Sequence, residues 1–347
     1  MKYIFIILAL IVTPCMIPLC TAITSDIIRN LKCDDETRHY MKMGYSYDDA
    51  RIEVAYDKGL KGDICYLSRL EEMSLISSYC KAAASMGRKD HVAQCIIQGA
   101  NPNDGLENAA KGGHISIVEY LLDHGATDFN DALSSAAEGG HMNIVQLMLE
   151  NGATDYNRGL KYAAMEGHMD IVQLMLEKGA TDYNCGLENA AMGGHMDIVQ
   201  LMLEKGAEPD MGMKNAAHFN HKEIVQLLLE RGADPNKGMA AAAKRNYIDI
   251  AQLLLAAGAS PNMGIENAAL AGHDDLVSFF IQKGADPGKG LHGAAEGGHI
   301  NILKSLLRYP GVNIHNKNIY GETPLDKAKH NGRTECVNFI LSVYSIY

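Results

Sequence analysis

Histidine is the residue type that first suggests chemistry here, because it recurs at a nearly fixed spacing. Its regular copies are His114, His141, His168, His195, His221, His273 and His299. Imidazole nitrogens bind zinc and transfer protons near neutral pH. However, equivalent residues of stacked helical units lie about one helix-packing distance apart, roughly 8–10 Å, whereas zinc ligands must converge on one ion at about 2.0–2.1 Å. We therefore predict that each histidine begins a helix and hydrogen-bonds its surroundings, and we expect no metal or cofactor.

Cysteine is the second candidate for chemistry. Cys80 and Cys95 occupy positions that later copies of the unit described below fill with Leu106 and Leu121, so we predict that both are small buried hydrophobic residues. If the chain is secreted, a Cys80–Cys95 bridge or a pairing of Cys33 with Cys65 is the alternative. The sequence contains no Walker A motif, no H-E-x-x-H and no C-x-x-C. Nothing in it predicts a catalytic centre.

The histidines belong to a unit that repeats along most of the chain. We take the first alanine of a recurring Ala-Ala pair as its marker; the markers are Ala83, Ala109, Ala136, Ala163, Ala190, Ala216, Ala242, Ala268, Ala294 and Ala328. The steps are 26 or 27 residues, except for a last step of 34. A fixed period between 20 and 50 residues is typical of a stacked array whose units cannot bury their apolar faces alone.

Each unit reads as two short helices. An Asn or Asp six residues before the marker, such as Asn184, is expected to cap the first helix, and the Ala pair marks a close approach between helices. A Gly four residues after the marker, or Asn220 and Asn246 in its place, is expected to turn the chain through a positive φ. The second helix follows with an apolar stripe and ends at a glycine such as Gly179.

The run A-A-x-x-G-H-x-x-I-V-x-x-L-L-x-x-G-A-x-x-N resembles the ankyrin repeat, which implies an all-α solenoid of stacked helix–turn–helix units. Ankyrin repeats have about 33 residues and begin T-P-L-H, but the inner copies here are shorter and lack this entry. Only the last copy has the full loop and Thr323-Pro-Leu325. We therefore expect the projecting β-hairpin fingers to be reduced or absent in the inner copies. Shortened, near-identical copies are similar to those in ankyrin proteins of giant DNA viruses and intracellular bacteria.

Three segments follow from this organisation. Residues 1–22 have one Lys, an apolar core and small residues up to Ala22, which predicts a secretory signal peptide. The alternative is an uncleaved anchor, since residues 3–22 are long enough to span a bilayer. Residues 23–78 are expected to hold a degenerate capping repeat, and residues 79–347 the array of about ten repeats, the last of full length. The expected location is the secretory pathway or the extracellular space, with a membrane-anchored form as the alternative, and the cytosol, possibly that of a host, if residues 1–22 are no signal.

The variable residues lie on the first helix of each unit. Positions two and one before the marker, and two and three after it, are expected to be exposed, on the concave surface that the resemblance implies. Two adjacent copies depart from the consensus there together, with His218 and Phe219 in one and Lys244 and Arg245 in the next. Aromatic residues and arginine are enriched at binding hot spots. A second group of candidates comprises Tyr162, Met165, Glu166 and Met192.

A constant repeat with a changing surface is typical of a binding protein. The net charge of −11 disfavours nucleic acid as a partner. We expect a non-enzymatic, monomeric scaffold that binds a protein through its first helices and meets a membrane only through residues 3–22, if these are uncleaved. A purely structural spacer or anchor is one alternative, and an enzyme with its activity in the N-terminal region is another.

Overall fold

The computed structural model describes residues 73–344, with side chains from Ile76 onwards. The predicted signal segment at residues 1–22, and nearly all of residues 23–78, lie outside this part. The chain divides into two compact units, Met1–Gly105 and Leu106–Tyr347. No helix among the described residues is long and apolar enough to cross a membrane.

The described part of the first unit contains helices α1 (Met73–Ser85) and α2 (Lys89–Ile97), and α3 (Asn103–Lys111) begins in it. Cys80 and Cys95 are free thiols, fully buried and hydrogen-bonded to each other. The hydrogen bond with Cys80, together with burial, raises the pKa of the Cys95 thiol. The prediction of small buried residues is confirmed, and the structure has no bridge between them. Cys33 and Cys65 lie outside the described residues.

The second unit continues the alternation of a first and a second helix to the end of the described chain. Its helices after α3 are α4 (Ile115–Asp123), α5 (Phe129–Gly139), α6 (Met142–Glu150), α7 (Tyr156–Glu166), α8 (Met169–Lys178), α9 (Tyr183–Gly193), α10 (Met196–Glu204), α11 (Asp210–His218), α12 (Lys222–Glu230), α13 (Asn236–Lys244), α14 (Ile248–Ala256), α15 (Asn262–Ala271), α16 (Asp274–Gln282), α17 (Pro287–Gly297), α18 (Ile300–Leu306), α19 (Pro324–His330) and α20 (Thr334–Tyr344).

The architecture is the predicted all-α solenoid. From α5 to α19, the first helices of successive repeats pack against one another, and each also packs against its own second helix, as α9 does with α7, α11 and α10. The described residues contain no strand. Short turns such as residues 151–155 join the inner repeats, whereas residues 307–323 form a long loop before α19. The expectation of reduced fingers in the inner repeats is therefore confirmed.

Small residues on the first helix allow this close packing. In α9, Gly186, Leu187, Ala190 and Ala191 are all buried. A Cβ on Gly186 would lie 2.6 Å from the sulfur of Met202 in α10, so a larger residue there would force the buried Met202 side chain to move. The second helix contributes the predicted apolar stripe, which in α10 is Ile198, Val199 and Met202. The core therefore runs between the two helices of each repeat.

The recurring Asn and Asp do not cap their own helices, and that prediction was wrong. Asn130 lies in the first turn of α5, and its Oδ1 accepts hydrogen bonds from the backbone N–H groups of Thr154 and Asp155 at 2.8 and 3.0 Å. These N–H groups lie in the loop of the next repeat. The same bond is made by Asn157 to Thr181 and Asp182, Asn184 to Glu208, Asp210 to Asp234, Asn236 to Ser260 and Asn262 to Asp286. The recurring Asn or Asp side chain therefore joins neighbouring repeats by a hydrogen bond.

The capping function lies just before these residues. The side chain of Asp155 accepts the N–H of Arg158 at 3.1 Å, and Asp182 accepts that of Cys185 at 3.0 Å. Pro209, Pro235 and Pro261 occupy the corresponding place in the later repeats and make no side-chain cap of their own. Proline suits this place because its φ is already helical and it has no N–H to satisfy.

The histidines begin the second helices, as predicted, and those from His141 onwards also bond the preceding repeat. Their Nε2–H groups donate to the backbone oxygens two residues after the preceding marker, at 3.0–3.1 Å; the pairs are His141 with Lys111, His168 with Glu138, His195 with Met165, His221 with Met192, His273 with Lys244 and His299 with Leu270. In the last repeat, Arg333 Nε replaces histidine and donates to Glu296 O at 2.9 Å. Residues 73–344 contain no group of three or more His, Cys, Asp or Glu that could hold a metal ion.

The residue four after each marker adopts the predicted positive φ. Gly194 has a φ of 84°, and Asn220 and Asn246 have φ values of 65° and 62°. The glycines also leave room for the next repeat, since a Cβ on Gly194 would lie 2.5 Å from the ring of His221. The residue that turns the chain therefore also leaves the space in which the next repeat's histidine makes its hydrogen bond.

Candidate partner-binding surface

The exposed side of the first helices is narrower than the sequence suggested. Ser134, Ser135, Asn189, Ala241 and His292 were expected to be exposed, and all five are buried. The cause is the close lateral packing of first helices. Its effect is clearest at the position just before the marker, where Asn215 Nδ2 donates to Glu188 O of the preceding repeat at 3.1 Å. Exposure at the positions before the marker therefore depends on the individual repeat.

The structure brings the four residues at the consensus break close together. His218 is the last residue of α11, and Phe219 follows it with 45% of its surface exposed. Their rings meet edge-on, with the centroids 4.8 Å apart. Arg245 follows α13 in the next repeat, and its Nη2 donates to His218 Nε2 at 2.7 Å. Lys244, the last residue of α13, is exposed beside it.

Electrostatics fix the protonation state of His218. Partial burial lowers its pKa, and the nearby charges of Arg245, Lys214 and Lys244 lower it further. A guanidinium group can only donate, so Nε2 of His218 must accept and the neutral ring carries its proton on Nδ1. The neutral imidazole thus links Arg245 of one repeat to Phe219 of the repeat before it.

The position five before the marker was missed as a surface position. Met211 and Met263 are 42% and 50% exposed there, and Lys237 is exposed at the same position in α13. Residues three and four apart share a helix face, so this position lies in line with Lys214 and His218 on α11. Helical periodicity could have identified it, because it lies one turn before the expected exposed position of Lys214.

The second predicted group lies on α7 and α9. Lys161 Nζ lies 5.2 Å from the centroid of the half-buried Tyr162 ring. Glu166 is exposed, whereas Met165 and Met192 are half-buried and their backbone oxygens accept the bonds from His195 and His221. These residues are spread over two repeats and form no cluster comparable with that of Phe219.

An ion pair lies next to this second group. Arg158 of α7 pairs with Asp131 of α5, and that hydrogen bond raises the pKa of the guanidinium group. The hydrogen bond between Arg158 and Tyr162 raises it as well. The charge of Arg158 is thus already matched within the protein, which distinguishes this surface from that of Arg245.

Comparison with known proteins agrees with the geometry. A family model described as ankyrin repeats (3 copies) matches residues 80–159, 187–264 and 265–346, well over half of the chain. A search of curated proteins found no match. Paired helices, bonded from repeat to repeat by histidine and asparagine, account for the sequence pattern that the model recognises. The chain belongs to the ankyrin-repeat family.

Proposed function

We propose that this chain is a non-enzymatic, monomeric scaffold that binds a protein partner through the exposed side of its first helices. Ankyrin repeats generally mediate protein–protein interaction. We place the contact on the surface formed by His218, Phe219, Lys244 and Arg245, with the residues around Tyr162 as a secondary contact. Nucleic acid is disfavoured as a partner because the chain carries a net charge of −11.

One observation carries the proposal. Phe219 is a large aromatic side chain left 45% exposed, yet it is held by His218, which Arg245 of the next repeat holds in turn. The exposed part of an aromatic ring adds no buried apolar area to the core. A ring already fixed in place, however, loses little conformational entropy when a partner covers it. Aromatic residues and arginine at the centre of an interface contribute most of its binding energy.

Alanine substitutions at this surface test the proposal. A partner is first isolated with the full chain, and its affinity is then measured for each variant. We expect Phe219→Ala and Arg245→Ala each to weaken binding by about 1–2 kcal/mol or more, with little change in melting temperature. Lys289→Ala on α17 is the matched control, because Lys289 is exposed on the first helix of a repeat three units away.

The alternatives predict different outcomes. If both variants bind as the parent does while Tyr162→Ala weakens binding, the contact surface lies on α7 and α9. A spacer would yield no partner whose affinity depends on any first-helix residue. An enzyme with its activity in the N-terminal region would keep turning over substrate after these substitutions.

We also propose that residues 1–22 direct the chain into the secretory pathway, as a cleaved signal peptide or as an anchor. The support is the sequence pattern of one Lys, an apolar core and a small residue at Ala22. N-terminal sequencing of the protein from expressing cells should find a chain that starts near Ile23, or an intact chain in the membrane fraction. An intact Met1 in a soluble cytosolic fraction would reject both forms.

A further inference from the structure

Positive charge is concentrated on the exposed side of two first helices in an otherwise acidic chain. Lys214 on α11, Lys237 and Lys244 on α13, and Arg245 just after α13 are all exposed. None of these four side chains forms an ion pair with any residue from 73 to 344. Together with Met211, Phe219 and Met263, they are called here the basic–apolar surface.

Carboxylates are almost absent from these two helices. The only one in α11 and α13 is Asp210, and its Oδ1 already accepts the N–H of Asp234 at 2.7 Å. The helices on either side differ, since exposed glutamates stand two residues before the marker at Glu188 in α9 and Glu266 in α15. The positive region is therefore two repeats wide and bounded by negative charge.

No carboxylate of the described residues forms an ion pair with these cations, and only the Arg245 side chain also bonds a neighbouring repeat, through the neutral ring of His218. Partial burial lowers the pKa of His218, and Arg245, Lys214 and Lys244 each lie near enough to this ring to lower it further, so three like charges surround one side chain. Repulsion among like charges is relieved when an anionic group binds between them. The cationic side chains are therefore arranged for an anionic ligand that comes from outside the described chain.

Apolar residues lie on the same surface. Met211, Phe219 and Met263 are 42%, 45% and 50% exposed and belong to α11, its C-terminal cap and α15. Thioether side chains are flexible and adapt to apolar groups of varied shape. A bare polyanion leaves such residues uncovered, and a net charge of −11 repels it at long range. A polypeptide satisfies both features, because it can place apolar and acidic side chains next to each other.

We propose that the basic–apolar surface binds an extended acidic segment of another protein, in which carboxylates flank at least one apolar side chain. The carboxylates bind Lys214, Lys244 and Arg245, and the apolar side chain packs on Phe219. Two repeats at about 8–10 Å each span about six extended residues at roughly 3.3 Å per residue. This inference rests on the proposed function and specifies its partner.

Selection from a random library tests it without knowledge of the natural partner. The full chain is used to select from a displayed library of random 12-residue peptides. We expect the selected peptides to be enriched in Asp and Glu over Lys and Arg, around a Leu, Ile or Phe. Their binding, measured by fluorescence anisotropy, should weaken at least tenfold when Asp and Glu are replaced with Asn and Gln.

Two charge-matched variants locate the site. Lys214→Glu/Lys244→Glu/Arg245→Glu should lose at least tenfold in affinity for the selected peptides. Lys178→Glu/Lys205→Glu/Arg231→Glu makes the same change in net charge at exposed positions at or just after the ends of second helices, and should change affinity less than threefold. Circular dichroism verifies that both variants remain folded. An equal loss in both would show a non-specific effect of net charge and overturn the proposal.

The remaining outcomes separate this inference from the proposed function. If the selected peptides are not enriched in acidic residues but lose their binding to the Phe219→Ala variant, the acidic partner is overturned and the protein-binding function stands. Peptides indifferent to Phe219→Ala and to the first triple variant, or no selected peptide at all, would overturn both. Tighter binding of a mixed-sequence single-stranded DNA 20-mer than of the selected peptides would assign the surface to nucleic acid and overturn the acidic-peptide partner.

Discussion

Two neighbouring repeats, those of α9 and α11, differ at the position three residues after the marker. In the first, α9 continues to Gly193, and a Cβ there would collide with the backbone oxygen of Met165 in the preceding repeat. In the second, α11 ends one residue earlier at His218, and Phe219 is exposed. This repeat position can therefore either pack against the preceding repeat or expose a side chain to solvent. The choice depends on whether the last helical turn rests on its neighbour.

The link to the next repeat also differs. His221 of the α11 repeat bonds Met192 O of the α9 repeat at 3.1 Å, whereas Tyr247 stands where a histidine would reach the carbonyl group of His218. On that side the repeats are joined by the hydrogen bond from Arg245 to the His218 ring. A half-buried side-chain-to-backbone bond has thus been replaced by a more exposed bond between two side chains. The residues that make this alternative bond, His218 and Arg245, are part of the candidate surface.

The largest expected effect is that of adding a methyl group to α9. Gly193→Ala places a Cβ against the Met165 oxygen and should lower the free energy of unfolding by about 1–3 kcal/mol, the range for overpacking. Phe219→Ala, at the same repeat position just after α11, should change it by less than about 0.5 kcal/mol, as exposed substitutions do. Urea unfolding measures both. Equal effects would show that the two positions do not differ in packing.

A smaller effect is expected from the histidine bond. His195→Ala removes the donor to Met165 O and should cost about 1–2 kcal/mol, because a backbone oxygen loses its partner. The reverse change, Tyr247→His, offers a donor to the His218 oxygen and should be neutral or stabilising by up to about 1 kcal/mol. Thermal melts of both variants measure these two changes in stability. A neutral His195→Ala would contradict a stabilising role for the bond.

The smallest effect concerns protonation of His218. Partial burial and three neighbouring cations lower its pKa below the ordinary value, so the folded chain binds this proton less tightly than the unfolded chain does. Its contribution to stability is therefore complete above about pH 6.5 and declines as the pH falls through that value. In an NMR titration, Arg245→Ala should raise the midpoint of His218, because one of these cations is gone. A midpoint unchanged by Arg245→Ala would refute this assignment.

Local chemistry made most of the fold predictable. A repeating Gly or Asn at one position requires a positive φ, and a repeating apolar stripe requires a helix, whatever surrounds them. The cluster of His218, Phe219, Lys244 and Arg245 was likewise visible as a break in the repeat. Asn189 and Asn130 were misjudged for a shared reason. Polar side chains at a helix start or on an apparently free face look alike in sequence, whether they contact water or the next repeat.

The period, the two helices of each unit, their turns and the family thus follow from the amino-acid sequence alone. All of these depend on backbone preferences and burial within some thirty residues. The packing of the repeats was needed to show which polar residues bridge them, which positions are covered, and that Arg245 bonds the ring of His218. Those contacts join residues 24–30 positions apart. Their geometry depends on how closely two first helices pack, which the small residues permit but do not specify.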